Sequence, residues 1–395
     1  MATVVEFETV EGFILDDPIA GKLDNVEYTL GGLSFSDITL YMTDISWTRG
    51  KARDLDRFSA GTLSVELNNH TRIFDPSYAA GAFFGQIKPR RKIRVTTDGV
   101  RQFTGVIDDW NFSYNPGGWS KAVITATDDF TLLARQTVSG VGVAQATGAR
   151  VTAVLDQAGV LWPVGLRIVS AGESELGADT LTGNALEYLQ KVETSEQGAL
   201  FIDKSGNLVF QDRLTATPTS DSLITFADDG TGIPYTQVTV NYGTELLINT
   251  VTVTSAAGSS TAQNSRSRTS YGVSSESVET LVDSTAQLLN IADFIVSKYG
   301  EPEYRFESIA LNLDEMTAPN KASVLGMELW DVILIKFTPN GVGAPIAQYG
   351  QVIKLDNDIE KKRHDIIIGI AALDWTFLVL DDVVFGTMGN NYLAF

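Results

Sequence analysis

The sequence has 395 residues, of which 44% are hydrophobic and 20% charged, and its formal net charge is −20 at pH 7. This composition indicates a folded chain of roughly two to four domains and excludes an intrinsically disordered one. The acidic charge excludes a protein that wraps nucleic acid, and the absence of cysteine excludes disulfides and thiolate metal sites. Since no apolar run reaches the ~18 residues of a membrane helix, no membrane span is predicted.

The first third of the chain predicts an arm followed by a β module. Residues 1–40 have loose strand character and are expected to form an N-terminal arm. Residues 41–135 alternate apolar and polar side chains, most clearly at residues 62–67, and Asp98-Gly99 is typical of a hairpin turn. Residues 41–135 are therefore interpreted as the first β module.

The middle of the chain mixes helix and strand signals. Residues 136–235 predict a small α/β domain, with a helix capped by Thr182 or Asn184 and a hairpin around residues 204–207. Ser284 opens a capping box for a helix that ends at Gly300. Residues 256–302 are therefore expected to form a loop and helix insert.

The last part of the chain repeats features of the first module. Gly105 and Gly350 are 245 positions apart, as are Asp129 and Asp374, and the apolar alternation at residues 63–67 recurs at residues 309–313. Residues 236–255 plus 303–378 are accordingly predicted to form a second, related β module, followed by a C-terminal arm at 379–395. A duplication of this kind points to assembly before it points to chemistry.

Similar acidic segments occur near both ends of the chain. Leu15-Asp16-Asp17 matches Leu380-Asp381-Asp382. The match is either a chance likeness of two acidic turns or a sign that both ends contact neighbouring subunits. Under the second interpretation the contact residues are Asp16, Asp17, Asp381 and Asp382.

A basic cluster, residues 88–94, stands out in this acidic chain. Its central residues are Arg90, Arg91 and Lys92. The cluster is either a solvated strand edge that charge protects from aggregation or a contact with an acidic neighbouring subunit.

An aromatic group surrounds a predicted hairpin. Trp110, Phe112, Tyr114 and Trp119 lie within ten residues of one another. If half of them do not face the core, then Trp110, Tyr114 and Trp119 are candidates for glycan contact.

The motifs of common catalytic sites are absent from the sequence. The chain has two histidines, His70 and His364, with no zinc-binding spacing, and no nucleophile elbow or Walker pattern occurs. Adjacent acids such as Asp128-Asp129 point to opposite faces of a strand, so they do not form a glycosidase pair. For residues 203–207 a plain hairpin turn is favoured over a calcium site. We therefore predict a protein without enzymatic activity, cofactor or metal.

Several short motifs occur in a fixed order along the chain. They are Arg49-Gly50, Leu55-Asp56-Arg57, Ala60-Gly61, Asn68-Asn69, Phe74-Asp75-Pro76, Ala126-Thr127-Asp128 and Lys298-Tyr299-Gly300-Glu301-Pro302. In this order the chain resembles minor tail proteins, or tail hub (baseplate hub) proteins, of long-tailed bacteriophages, especially those of actinobacteria. The resemblance covers nearly the whole chain, although each motif is short.

The resemblance implies a mainly β fold with a smaller α/β part: two related β-barrel hub domains in one chain, with inserted α+β domains. It implies a homotrimer whose six barrels form a ring, which joins a six-fold tail tube to a three-fold tip around the exit path of the DNA. The implied partners are a distal tail or tail tube protein above, tip or fibre proteins below, and genomic DNA that passes without specific binding. The implied location is the tail tip of the virion, after assembly in the host cytoplasm.

Two other functions compete with the hub. The first is a carbohydrate-binding tail protein that recognises a receptor, and the second is a cell-wall hydrolase.

Overall fold

The computed structural model describes residues 2–12, 28–29, 34–116, 118–160, 162–213, 223–360, 363–373, 376–377 and 391–392; for residues 10–12, 28–29, 376–377 and 391–392 it describes the backbone alone. The first part of the chain is built from strands. They are β1 (Thr3–Gly12), β2 (Tyr28–Thr29), β3 (Ser34–Asp37), β4 (Met42–Gly50), β5 (Ser59–Asn68), β6 (Lys92–Thr97), β7 (Val100–Ser113) and β8 (Lys121–Thr127).

An inserted region follows, in which short strands alternate with helices. Its elements are α1 (Phe130–Leu133), β9 (Val141–Gly142), β10 (Gln145–Ala146), α2 (Thr147–Leu155), β11 (Arg167–Val169), β12 (Glu175–Leu176), β13 (Asp179–Thr180), α3 (Ala185–Glu196), β14 (Ala199–Ile202) and β15 (Leu208–Gln211). Helix α3 begins as the sequence predicts, because the Asn184 side chain accepts a hydrogen bond from the backbone N–H of Glu187 at 2.8 Å.

The second half contains another set of long strands and a second insert. The elements are β16 (Ile224–Ala227), β17 (Gln237–Tyr242), β18 (Thr250–Ser255), β19 (Gly258–Gln263), α4 (Ser265–Tyr271), β20 (Ser275–Glu279), α5 (Thr285–Tyr299), β21 (Tyr304–Asn312), α6 (Ala318–Gly326), β22 (Val332–Phe337), β23 (Ile346–Glu360), β24 (Arg363–Leu373), β25 (Thr376–Phe377) and β26 (Asn391–Tyr392). Within the described ranges, no helix is long and apolar enough to cross a membrane. The protein is mainly β with a smaller α/β part, which confirms the predicted fold class.

The long strands form two six-stranded units with the same order. The first unit runs β4-β5-β8-β7-β6-β1 and the second runs β17-β21-β24-β23-β22-β16. If the strands of each unit are numbered along the chain, both have the order 2-3-6-5-4-1. The units differ in their last pair, because β1 is antiparallel to β6 whereas β16 is parallel to β22.

The strand registers of the two units also correspond. Gly105 pairs with Ile93 in the first unit, and Gly350 pairs with Ile333 in the second. A Cβ at Gly105 would lie 2.5 Å from the carbonyl oxygen of Thr127, and one at Gly350 would lie 2.4 Å from a methyl carbon of Ile370. Both glycines therefore stand where a neighbouring strand leaves no room for a side chain.

Pairing also corrects the alignment of the repeat. Val65 pairs with Ile124 in the first unit, and Ile309 pairs with Ile368 in the second. Val65 therefore corresponds to Ile309, whereas the sequence pattern had matched Ile309 with Leu63, two positions earlier.

Three hydrophobic cores follow this organisation. The first unit encloses one and the second unit another. The two inserts share the third, in which Val151 and Leu189 join Val251 and Leu288. The inserts are therefore packed as one body, although strands β16 and β17 of the second unit stand between them in sequence.

Two segments lie elsewhere than the sequence predicted. Residues 3–7 of the expected N-terminal arm pair with β6 and extend the first unit. Strand β18, expected in the second module, pairs instead with β19 and β20 in a sheet of the insert. Period two identifies a strand and its faces but not its neighbour, and this explains both differences.

The two units are joined edge to edge into one sheet. Residues 354–360 of β23 pair with β4, from Lys354 opposite Gly50 to Glu360 opposite Asp44. Gly50 has a φ of 113° and a Cβ there would lie 2.1 Å from the carbonyl oxygen of Ile353. Only glycine fits this close approach, which gives Arg49-Gly50 a structural reason.

Candidate functional site

The joint places eight strands of the 14-stranded sheet side by side, in the order β17-β21-β24-β23-β4-β5-β8-β7. Side chains on one face of this sheet are buried in the two cores, as Ile45 and Val65 illustrate for the first unit and Ile368 for the second. The alternate residues form the opposite face, which we call the polar face. Ser46, Thr48, Thr62, Ser64 and Thr125 give it a hydrogen-bonding surface with few apolar side chains.

The polar face carries more acids than bases. Around the joint, on β4, β5, β8, β24, residues 109–113 of β7 and residues 354–360 of β23, its carboxylates are Asp44, Glu66, Asp109, Asp356, Asp358, Glu360 and Asp365, and its basic residues are Lys121, Lys354 and Arg363. Seven carboxylates against three bases give a net charge of −4 (3 − 7). Each base is paired with a neighbouring acid, Lys121 with Glu66, Lys354 with Asp356 and Arg363 with Asp365.

The acids interact across the joint between the units. Glu360 lies opposite Asp44, and Asp44 lies opposite Glu66 on the next strand. Partial burial, and then the charges of Asp358, Glu360 and Glu66, raise the pKa of Asp44 above its ordinary value. Like charges directly opposite one another destabilise a sheet. We therefore infer that this row of acids serves a role other than stability.

Both edges of this sheet are open within the part of the chain that the structure describes. Strand β17 pairs with β21 alone, and residues 109–113 of β7 pair with β8 alone. Exposed strand edges are templates for pairing with another chain. The two edges are therefore candidates for contact between copies of the protein.

The basic cluster contacts acids of its own chain. Arg94 makes two hydrogen bonds to Glu6, at 2.7 and 3.1 Å, and Arg91 lies 3.6 Å from Glu8. Lys92 lies 3.4 Å from Asp129, and Arg90 lies 3.9 Å from Asp108. The contacts of Arg94 and Arg91 with Glu6 and Glu8 hold β1 against the β6 side of the unit. The proposed subunit contact through Arg90, Arg91 and Lys92 stays a prediction, now limited to the exposed parts of Arg90 and Lys92.

The aromatic group divides into a buried and an exposed part. Trp110 is half-buried and packs against Phe7, Phe74 and Phe112, so it belongs to the core side of the hairpin. Trp119 is 75% exposed and Tyr114 is 48% exposed. The glycan prediction therefore keeps Tyr114 and Trp119, whereas the position of Trp110 does not favour it.

The acidic residues predicted to contact neighbouring subunits, Asp16, Asp17, Asp381 and Asp382, lie outside the described residues. His364 is buried beside Trp47, where its Nε2 is 2.9 Å from the amide oxygen of Asn357, and burial lowers its pKa to about 4. The described ranges contain no group of three or more His, Asp or Glu side chains that could hold a metal ion.

A cavity of about 500 Å³ lies where the two units meet the inserts. Its floor holds a buried ionic cluster, which we call the junction cluster and which comprises Lys51, Asp54, Glu193, Lys298 and Tyr299. The Asp54 carboxylate accepts hydrogen bonds from the Tyr299 hydroxyl at 2.7 Å and the Lys298 ammonium at 3.4 Å. Lys51 lies 3.7 Å from the same carboxylate and above the rings of Phe58 and Trp330.

Burial and charge set the protonation of the junction cluster. Burial opposes the Asp54 carboxylate, but Lys298 and Lys51 outweigh it and lower its pKa. Burial raises the pKa of Glu193 to about 7, and among the described residues its Oε2 has no hydrogen-bond partner. Asp54 follows β4 of the first unit, and it holds Lys298 of α5 as well as Lys51. The geometry therefore favours a structural role for the junction cluster, as a lock between the first unit and α5.

The junction cluster was not predicted, although its residues stand in or beside two of the sequence motifs. Lys51 and Asp54 follow the Arg49-Gly50 motif, and Lys298 and Tyr299 belong to the motif that ends α5. Tertiary structure brings these two motif segments together. The Asp128 motif is also structural, since its carboxylate accepts from the backbone N–H groups of Gly61 and Phe130 at 2.6 and 3.0 Å.

Comparison with known proteins gave no family model and no curated protein that matches the chain. Solved structures do share its fold. The tail protein from Neisseria meningitidis MC58 has a TM-score of 0.60 at 10% sequence identity, over 95% of this chain and 97% of that one. The prophage MuSo2 43 kDa tail protein from Shewanella oneidensis has a TM-score of 0.55 at 15% identity, over 86% and 95% of the two chains. This protein therefore has the fold of these tail proteins.

Proposed function

We propose that this protein is a structural tail hub of a long-tailed bacteriophage, of the type found in phages of actinobacteria. Three copies form a ring of six similar units at the tail tip of the virion, which assembles in the host cytoplasm. The ring joins the tail tube, or a distal tail protein, to tip or fibre proteins and surrounds the path of the DNA. The fold shared with two tail proteins supports the tail location.

The observation that carries the proposal is the way the two units are joined. Within one chain, residues 354–360 of β23 pair with β4. The corresponding elements, residues 109–113 of β7 and strand β17, are the two open edges. If the same joint forms between copies, every unit has a neighbour on both sides. Head-to-tail contacts of this kind generate a closed ring when the rotation allows it.

Two glycines support the repeated joint. Gly50 stands four residues after Ser46 and allows the close approach of β23. Val238 pairs with Ile309 as Ile45 pairs with Val65, so the residues that follow, Thr239 and Ser46, correspond to each other. Gly243 stands four residues after Thr239 and therefore corresponds to Gly50. In the described chain a Cβ at Gly243 would meet only atoms of Asn241 within 4 Å. The position is therefore open to a strand from another copy.

The polar face suits the lining of a DNA path. The opposite face of the sheet is covered by the cores of the two units, whereas the polar face presents hydroxyl groups and, around the joint, a net charge of −4. A lining that is mildly acidic repels phosphates, and at physiological salt the repulsion acts over ~8 Å. DNA can then slide past without adhesion. Arg94, Arg91, Arg90 and Lys92 of the basic cluster are engaged with Glu6, Glu8, Asp108 and Asp129, which weakens any attraction of the cluster to DNA.

We also propose that the hub has no enzymatic activity. Among the described residues, the junction cluster most resembles a catalytic site. Its Lys298 and Tyr299 side chains, however, donate their hydrogen bonds to Asp54, which favours a structural role. Incubation of purified protein with peptidoglycan tests this proposal. Release of soluble fragments that stops when Glu193 or Asp54 is replaced would make the protein a cell-wall hydrolase instead.

The joint between copies can be tested by disulfide cross-linking, because the chain has no cysteine. Ser113 and Thr239 correspond to Asp358 and Ser46, which face each other across the joint within the chain. Facing Cα atoms on antiparallel strands are ~4.5–5.5 Å apart, within reach of a disulfide. The variant Ser113→Cys/Thr239→Cys should yield covalent closed trimers after oxidation of concentrated protein or of assembled tails.

Two matched variants control this experiment. Ser46→Cys/Asp358→Cys should form a disulfide within one chain, which shows that the joint accepts the bond. Ser113→Cys/Thr261→Cys should not cross-link, since Thr261 is an exposed residue of the insert. Monomers alone from the first variant, in both samples, would contradict the ring.

A further inference from the structure

The tip of the hairpin between β7 and β8 carries an exposed aromatic platform. Trp119 is 75% exposed and its ring centroid lies 6.0 Å from that of His70, at an interplanar angle of 51°. Tyr114 is 48% exposed and stands at the end of a stack that runs from Trp110 through Phe112. We call His70, Tyr114 and Trp119 the tip platform.

The tip platform is held in place by local hydrogen bonds. The Asn115 side chain donates to the carbonyl oxygen of Trp119 at 3.2 Å, and the backbone N–H of Asn69 donates to that of Ser120 at 2.9 Å. The Tyr114 ring stacks on that of Phe112, with the ring centroids 6.4 Å apart. The platform is therefore ordered before any ligand arrives, which lowers the entropy cost of binding.

Polar groups surround the rings. Arg72 makes two hydrogen bonds to Asp75, at 2.7 and 2.9 Å, and half of its side chain remains exposed. Hydrogen bonds from Ser77 and Arg72 hold the pKa of Asp75 well below its ordinary value, so its carboxylate is charged. Asn68, Asn115 and Lys121 are further polar neighbours. An aromatic hot spot for protein binding would instead be surrounded by contacts that exclude water.

The tip platform is also absent from the second unit. There the corresponding hairpin connects β23 to β24 with Glu360 paired directly to Arg363, whereas β7 and β8 are separated by the longer segment 114–120. The shared sheet geometry therefore does not require the aromatic tip.

From these observations we propose that the tip platform binds a neutral hexopyranose of a surface glycan. The apolar face of the sugar ring stacks on the indole of Trp119. The His70 ring covers its edge, and the side chains of Arg72 and Asn115 bond its hydroxyl groups. The net charge of −20 repels acidic sugars, which favours neutral ones. Each chain supplies one site, so binding to a polyvalent glycan gains from avidity if copies assemble.

Nuclear magnetic resonance of the purified chain tests this proposal without any need for assembly. The probes are methyl α-mannopyranoside, methyl α-galactopyranoside and methyl β-N-acetylglucosaminide, with glucuronate as the acidic comparison. At least one neutral glycoside should shift the indole N–H signal of Trp119 at millimolar concentration. Trp119→Ala should weaken binding at least tenfold and His70→Ala several-fold, whereas Trp119→Phe should keep part of the affinity.

The control is Tyr271→Ala, which removes a side chain that is 49% exposed on α4, away from the hairpin. It should leave binding unchanged. Two results would overturn the proposal: no shift of the Trp119 signal with any neutral glycoside, or equal binding by the wild-type protein and Trp119→Ala. Loss of tail assembly by Trp119→Ala without any glycan binding would make the platform a protein contact instead. The hub proposal is judged separately, by cross-linking.

Discussion

Lys298 and Asp54 are 244 positions apart in sequence, yet their charged groups approach to 3.2 Å in a buried ion pair. Asp54 belongs to the loop after β4 of the first unit, and Lys298 lies in the last turn of α5 in the insert. The pair thus fixes the body of the inserts to the first unit. The Tyr299 hydroxyl donates to the same carboxylate, and Lys51 approaches it from its other side.

Replacing Asp54 should therefore destabilise the protein strongly. Asp54→Asn leaves Lys51 and Lys298 buried without their counter-ion, at an expected cost of about 3–5 kcal/mol in the free energy of unfolding. Urea unfolding followed by fluorescence measures the change. Arg53→Gln is the matched control, because Arg53 and its partner Glu245 are 68% and 55% exposed and should contribute less than about 1 kcal/mol. Equal effects of the two variants would show that the pair is not a lock.

Glu193 should make stability depend on pH. Burial raises its pKa from 4.5 to about 7, so the folded state binds a proton that the unfolded state releases. Its contribution is complete below pH 4.5 and is lost as the pH rises through about 7. Glu193→Gln, which mimics the protonated form, should therefore gain stability relative to the wild type above pH 7, on the order of 3 kcal/mol. Parallel stability curves of both proteins between pH 4.5 and 8 would refute this assignment.

Lys204 should be a key contact between the β14–β15 hairpin and the second unit. Its ammonium donates to the carbonyl oxygens of Leu325, Gly326 and Met327, at 3.0, 2.6 and 3.2 Å. Lys204→Met removes these charged hydrogen bonds and should cost about 1.5–3 kcal/mol. Hydrogen exchange should increase in α6 and in the hairpin. Lys191→Met, at an exposed position of α3, should leave the exchange of both segments unchanged.

Reversing charge on the polar face should create adhesion to DNA. Asp44→Lys/Asp358→Lys changes the charge of the face from −4 to 0 in each chain and places two lysines across the joint. We expect double-stranded DNA to bind this variant with an affinity that falls steeply with salt, whereas the wild type does not bind. Electrophoretic mobility shift at several salt concentrations measures the difference. A variant with the same charge change on the insert, Glu276→Lys/Glu279→Lys, should bind less, and equal binding would argue against a DNA path.

The repeat and the helix boundaries were predictable from sequence because each depends on local chemistry. Gly105 and Gly350 recur because neighbouring strands crowd both positions, and a missing side chain is visible in the sequence. Helix α5 begins after Ser284 and ends before Gly300, as the sequence predicts, although the Ser284 side chain makes no capping hydrogen bond and Gly300 has a right-handed φ of −73°. The mainly β fold class followed from period-two alternation for the same reason.

The partners of the strands and of the buried charges were decided by tertiary structure alone. Alternation shows which face of β1 or β18 is buried, but any sheet edge with a free row of amide and carbonyl groups can pair with it. Lys51, Asp54 and Lys298 read in the sequence as ordinary charged residues. They become a buried lock only because folding closes a loop of 244 positions and removes water from between them, which strengthens their attraction.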